Sequence, residues 1–88
     1  SSFAGLSFII FPNPVSNSFC TIHILDFEPS AQYSYILYDY LGRRLTKQNL
    51  NNQRSEIPLK RFNTSILYLS FLQNDRLIEN VPILMNNE

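Results

Sequence analysis

The stretch that decides the fold is YSYILYDYLGRR, which runs from Tyr33 to Arg44. In its first half, apolar side chains recur with a period of two, so that Tyr33, Tyr35 and Leu37 fall on one face. This period is typical of a β-strand that buries one side against a core. The stretch therefore predicts a β-protein in which this strand is central.

The predicted strand ends abruptly at Asp39-Tyr40-Leu41-Gly42. An aspartate in the first position of a type I turn accepts hydrogen bonds from the backbone ahead of it. A glycine in the fourth position adopts a positive φ angle at little cost, because it has no Cβ atom. A type I turn followed by such a glycine is the common three-residue hairpin with a bulge. Asp39 and Gly42 are therefore predicted to reverse the chain, with a return strand starting near Arg44.

The rest of the chain consists of further short apolar runs that are separated by turn residues, which indicates an all-β fold. About seven short strands with turns every 8 to 12 residues are typical of an immunoglobulin-like antiparallel β-sandwich. The predicted strands are Ser7 to Phe11, Ser18 to Leu25, Tyr33 to Asp39, Arg44 to Leu50, Ser55 to Leu59, Ile66 to Gln73 and Arg76 to Met85. Their predicted inward residues include Cys20, Ile22, Ile24, Ile57, Leu59, Leu67, Leu69, Phe71, Val81, Ile83 and Met85. We expect one domain over residues 7–88, preceded by a linker remnant at 1–6, and an edge position for the strand that contains Pro58.

Composition excludes several classes of function. The seven basic and seven acidic side chains cancel, so no overall positive field attracts nucleic acid. The apolar run from Phe8 to Phe11 is far shorter than the ~20 residues of a membrane span, and no basic segment precedes it as in a signal peptide. We therefore expect no nucleic-acid partner and no membrane span, and we expect any export leader to lie outside this chain.

The candidate catalytic groups do not form a recognisable site. His23 is the single histidine, and Cys20 lies three positions before it, so in a strand the two side chains point to opposite faces. The turn already accounts for Asp39, and no calcium-loop, zinc or glycine-rich phosphate pattern is present. We predict no catalytic residue, no metal site and no cofactor.

Two predicted strands are also apolar on the face that points away from the core. We call these residues the outer patch: Ile36, Tyr38, Tyr40, Ile66 and Tyr68. Apolar side chains on both faces of a strand indicate either a cover of loops and strand ends or a surface that docks a partner. Both interpretations remain open at this stage.

The chain resembles the C-terminal sorting domains of the type IX (Por) secretion system of Bacteroidota. The resemblance lies in Phe11-Pro12-Asn13-Pro14-Val15-Ser16-Asn17 and in Leu37-Tyr38-Asp39-Tyr40-Leu41-Gly42-Arg43, in this order. Where the family has a Gly-x-Tyr pair this chain has Ser65-Ile66-Leu67, and its last strand has no lysine. We call the matching positions the signature residues: Pro12, Asn13, Pro14, Asp39, Gly42 and Arg43.

The resemblance implies an immunoglobulin-like sandwich that serves as an address label for an N-terminal cargo domain. It implies export through the type IX outer-membrane translocon, removal of the label by a sortase-like protease, and a cargo on the outer-membrane surface or outside the cell. It also implies that the domain is not an enzyme.

Two other functions fit the same strands. An immunoglobulin-like accessory module of a cell-surface protein would use Tyr38, Tyr40 and Tyr68 to bind a glycan or a protein, although the chain has no tryptophan for sugar stacking. A fragment of an enzyme is the third hypothesis.

Overall fold

A computed structural model describes residues 3–4, 7–13, 15 and 19–85 of the chain. In these ranges every regular element is a β-strand, as the sequence predicts. The strands are β1 Phe3–Ala4, β2 Phe8–Phe11, β3 Phe19–Ile24, β4 Tyr33–Tyr38, β5 Arg44–Leu50, β6 Arg54–Pro58, β7 Ile66–Gln73 and β8 Arg76–Leu84. All except β1 have at least four residues, which agrees with the expected seven short strands.

The strands form two antiparallel sheets that pack face to face as a β-sandwich. One sheet has the order β1-β2-β3-β6 and the other has the order β5-β4-β7-β8. The immunoglobulin-like sandwich predicted from the strand pattern is therefore confirmed. β6 lies at the edge of its sheet, which is the position expected of a strand that contains Pro58.

The core lies between the sheets and is built from alternate positions of the strands. The predicted inward faces of β3, β4, β7 and β8 are confirmed, because these positions are almost free of solvent contact. The buried hydrophobic residues are Phe8, Ile10, Val15, Cys20, Ile22, Ile24, Tyr33, Tyr35, Leu37, Leu50, Ile57, Leu59, Leu67, Leu69, Phe71, Val81 and Ile83. Met85 and Phe62 pack against this core from its margin.

Aromatic rings hold the two layers together at one end of the core. The ring of Phe71 lies 4.5 Å from that of Phe8 in the opposite sheet and 5.9 Å from that of Tyr33 on the neighbouring strand. Phe27, which lies in the loop before β4, stacks on Tyr33 with 5.3 Å between the two ring centres. Such ring pairs add about 0.5–1.5 kcal/mol each beyond the area that they bury.

Some boundaries differ from those predicted. Leu59 is buried but follows β6 rather than belonging to it. Phe3–Ala4, inside the predicted linker segment 1–6, pairs with Ile10 and Ile9 as a two-residue strand. Two paired residues are too few for a period of two to be recognisable in a sequence.

Candidate functional site

The first group of signature residues fastens the β2–β3 connection to the last strand. The side-chain amide of Asn13 donates from Nδ2 to the carbonyl oxygen of Pro82 at 3.0 Å, and its Oδ1 accepts from the Leu84 N–H at 3.0 Å. Two positions further on, the Val15 N–H donates to the Leu84 carbonyl oxygen at 2.7 Å. The asparagine thus takes the place of a neighbouring strand's peptide group along the edge of β8.

Prolines flank Asn13 in the sequence. The peptide bond between Phe11 and Pro12 is cis, and β2 ends at Phe11. Pro14, the third predicted signature residue of this group, lies outside the described residues. The position of Val15 is known nonetheless: it is buried in the core and forms a parallel bridge with Met85.

The second group of signature residues builds the β4–β5 hairpin, and its geometry is the predicted one. The Gly42 N–H donates to the Asp39 carbonyl oxygen at 3.0 Å, and the φ angle of Gly42 is 81°. The pairing of β4 with β5 shifts here, because Leu37 faces Thr46 whereas Tyr38 faces Arg44. The predicted turn, the positive φ angle and the bulge are therefore confirmed.

The carboxylate of Asp39 organises the loop of this hairpin. Its Oδ1 accepts from the backbone N–H groups of Leu41 and Arg43, both at 2.9 Å, and its Oδ2 accepts from Arg43 Nε at 2.6 Å. Desolvation raises the pKa of Asp39, but the hydrogen bonds from Arg43 and Leu41 and the Arg43 charge together hold this pKa below its usual range. Asp39 is only 7% exposed, and its carboxylate serves to shape the turn through these hydrogen bonds.

The outer patch lies between the two groups of signature residues. Tyr38 on β4 is directly opposite Tyr68 on β7, and Tyr68 is directly opposite Pro82 on β8. Pro82 is the residue that Asn13 holds, and Tyr38 is the residue before Asp39. A row of side chains therefore runs across the sheet from the hairpin to the asparagine contact.

The members of the outer patch are accessible to different extents. Tyr40 is 68% exposed and Tyr68 is 41% exposed, whereas Ile36, Tyr38 and Ile66 are half-buried. Tyr38, Tyr40 and Tyr68 line a shallow depression of about 560 Å³. Ile66 lies at the far end of β7 opposite Leu84, and Ile36 lies one row away, opposite Ser70. The five residues thus share one surface, with the three tyrosines around the depression.

Sequence reasoning missed the contribution of β8 to this surface. Leu77 lines the depression and is 57% exposed, and Pro82 and Leu84 continue the apolar row beyond Tyr68 and Ile66. The alternation of Val81 with Ile83 was visible in the sequence, and the same alternation places Pro82 and Leu84 on the outer face. The sequence does not reveal the register between β7 and β8, which places Pro82 beside Tyr68 and Leu84 beside Ile66.

The other candidate groups do not meet. The Cys20 thiol is fully buried and His23 is half-buried on the opposite face of β3. Desolvation raises the pKa of Cys20 to about 12, which its own backbone hydrogen bond only partly offsets. In the described part of the chain, no three histidine, cysteine or acidic side chains are grouped as metal ligands would be. No helix in those ranges has the length and apolar character that a membrane crossing needs.

The model of the secretion system C-terminal sorting domain family matches residues 9–81 of the chain. The chain belongs to this family. Comparison with curated proteins and with solved structures gives no match. Domains of the family are sorting signals for type IX secretion, so this sorting domain directs an exported protein and acts together with the type IX machinery and an N-terminal cargo. Asn13 and the Asp39 hairpin both fall inside the matched range.

Proposed function

We propose that the sorting domain carries its cargo to the type IX outer-membrane translocon of a Bacteroidota cell and docks there through the outer patch. A sortase-like protease then removes the domain, and the cargo remains on the outer-membrane surface or outside the cell. The domain is a label and a substrate in this scheme and performs no catalysis. The family match favours this function over an accessory module that binds a glycan or a protein.

The row from Tyr38 through Tyr68 to Pro82 is the observation that supports docking at this face. Exposed aromatic side chains on a rigid sheet are common anchors of protein interfaces, because they bury a large area with little loss of rotamer freedom. The depression of about 560 Å³ in front of the tyrosines offers room for a partner side chain. The outer patch is therefore suited to bind a protein surface.

The signature residues have a supporting role in this proposal. Pro12, Asn13 and Pro14 belong to the connection that holds one end of the row, at Pro82, and Asp39, Gly42 and Arg43 hold the hairpin at the other end. A motif that fixes both ends of a docking surface is required even if the receptor never touches it. The receptor contacts are assigned to Tyr38, Tyr40 and Tyr68, with Ile36 and Ile66 beneath and beside them.

An export assay tests the proposal. The chain is fused behind a reporter that has its own signal peptide, and the fusion is expressed in a Bacteroidota strain with a working type IX system and in the same strain without the translocon. We expect the reporter at the surface or in the medium only when the translocon is present. Retention of an intact, folded fusion in the periplasm of both strains would contradict the proposal.

Variants of the same fusion test the docking face. We expect the double substitution Tyr38→Ser and Tyr68→Ser to reduce export at least about tenfold, because it removes two neighbouring anchors. Phe19→Ser is the matched control, since Phe19 is 45% exposed and lies on the other sheet. Equal export of the control and the double variant would show that the outer patch is not the docking face.

A further inference from the structure

The sandwich is open along one side, where an edge strand of one sheet lies across a groove from an edge strand of the other. β5 is the outermost strand of one sheet and β6 is the outermost strand of the other. Between them lies a groove of about 510 Å³, which Tyr35, Thr46, Gln48 and Leu50 line from one sheet. This groove faces the inside of the sandwich and is distinct from the outer patch, which lies on the opposite face of β4.

The edge of β5 is the edge best suited to accept another strand. β1 has only two residues, and β6 ends at Pro58. Part of the β8 edge is already occupied, because Asn13 and Val15 bind its backbone at Pro82 and Leu84. β5 has seven residues and no proline, and among the described residues its strand neighbour is β4 alone. Strands that leave such an edge open are the usual sites of β-strand addition.

Side chains beside this edge form a floor that accepts apolar groups. The floor consists of Tyr35 and Leu50, which are 4% and 5% exposed. Thr46 and Gln48 also line the groove, and Gln48 Nε2 donates a hydrogen bond of 3.1 Å to Thr46 Oγ1. An added strand would place alternate side chains over this floor. The contacts available there are thus apolar below and hydrogen-bonding at the rim.

The charges around the groove select the partner. Lys60 and Arg61 also line the groove, and Glu56 is the single acidic side chain of its lining. The Arg61 guanidinium lies 4.8 Å from the centre of the Phe62 ring, which holds it in place. The lining therefore has an excess of positive charge, which favours an acidic partner.

We propose that the groove between β5 and β6 binds an extended acidic segment of another polypeptide, which adds to β5 as a strand. Apolar side chains of the segment lie over Tyr35 and Leu50, and its carboxylates face Lys60 and Arg61. This proposal does not depend on docking at the outer patch, since the two surfaces lie on opposite faces of the β5-β4-β7-β8 sheet.

The test uses the 88-residue chain and synthetic ten-residue peptides of alternating valine and threonine. One peptide ends in two glutamates, a second ends in two lysines, and a third has the composition of the first in scrambled order. Binding is followed by the amide signals of the isotope-labelled chain. We expect saturable shifts with the first peptide, centred on Thr46 to Leu50, and slower hydrogen exchange of amides along β5.

Single charge reversals show whether Lys60 and Arg61 select the peptide. We expect Lys60→Glu and Arg61→Glu each to weaken binding of the acidic peptide at least about fivefold, and both side chains are exposed, so folding is retained. Arg76→Glu is the control, because Arg76 is an exposed cation at the start of β8. The proposal is overturned if the acidic and basic peptides bind equally, if Arg76→Glu weakens binding as much, or if the shifts lie on the outer patch or nowhere.

Discussion

Asn13 binds Pro82 across the edge of the last strand, with its Nδ2 atom 3.0 Å from the Pro82 carbonyl oxygen. The contact joins residues that are 69 positions apart, so it ties the start of the sandwich to its end. It also explains why a proline is tolerated here: the backbone of residue 82 points away from β7, so its missing N–H removes no bond from the sheet. Asn13 is thereby connected directly to β8.

Asn13→Ala is expected to lower the free energy of unfolding by about 1 kcal/mol, because it removes two hydrogen bonds at a partly exposed edge. For a domain of this size the loss corresponds to a fall in Tm of about 5 °C. The sharper measurement is hydrogen exchange of the Leu84 amide, which donates to Asn13 Oδ1 and should exchange faster in the variant. Asn63→Ala, at an exposed loop position, is the control. Unchanged exchange at Leu84 would contradict the contact.

Gly42→Val is expected to destabilise the domain by about 1–2 kcal/mol, because a β-branched residue is strained at a φ angle of 81°. A Cβ atom added at this position meets no atom within 4 Å, so the cost comes from backbone strain rather than from a clash of the Cβ atom. Gly42→Asn should lose much less, since asparagine tolerates positive φ angles. Thermal melts of the three proteins measure the difference. Equal Tm values for the valine variant and the unsubstituted chain would show that the hairpin assignment is wrong.

Asp39 should make stability depend on pH in the acid range. Hydrogen bonds and the Arg43 charge hold its pKa below the usual value despite desolvation, so the folded state binds the proton more weakly than the unfolded state does. The stabilisation is present above the unfolded pKa of about 4 and is lost as the pH falls through the folded pKa. We expect Asp39→Asn to melt below the unsubstituted chain at pH 7, and this gap to close as the pH falls below 4.

Asp75→Asn is the control for this titration. Asp75 is an exposed turn residue whose carboxylate lies 3.4 Å from Lys47 Nζ, and exposed pairs of this kind stabilise little. The Tm of the Asp75→Asn variant should therefore stay close to that of the unsubstituted chain at each pH. A gap between Asp39→Asn and the unsubstituted chain that persists unchanged at pH 3 would contradict the role of the ionised Asp39 carboxylate.

Arg43→Ala separates the two parts of the Asp39 interaction. The Arg43 side chain is 72% exposed, so its ion pair with Asp39 is screened by water, whereas the two backbone N–H bonds to Oδ1 survive its removal. We expect Arg43→Ala to lower Tm less than Asp39→Ala does. The opposite order would mean that the ion pair, rather than the turn, is the main contribution of Asp39.

The strands and the hairpin were predictable because their signals are local. The alternation of Tyr33, Tyr35 and Leu37 and the turn at Asp39 and Gly42 need only neighbouring residues to be recognised. The Asn13 contact with β8 was not predictable, because it depends on how two sheets pack. The bulge at Ile78 was not predictable either, because it is a feature of the register between β7 and β8. Ile78 faces no residue of β7, since Phe71 pairs with Glu79 and Leu72 pairs with Leu77. The surface around the outer patch was half predicted. Ile36, Tyr38, Ile66 and Tyr68 follow from alternation, whereas the neighbouring Leu77, Pro82 and Leu84 of β8 follow from register.

Cys20 provides a test of the fold that is independent of the hairpin. Its thiol is fully buried, and desolvation raises its pKa to about 12. Only the thiolate is alkylated. At pH 8.5 iodoacetamide should therefore modify the folded domain at least about a hundredfold more slowly than the chain in concentrated guanidinium chloride. Shielding of the thiol by the core would slow the reaction further. Mass spectrometry of quenched samples gives both rates. Equal rates would place Cys20 on the surface and would invalidate the inward face of β3. A confirmed difference makes Cys20 a reporter of whether the sorting domain is folded.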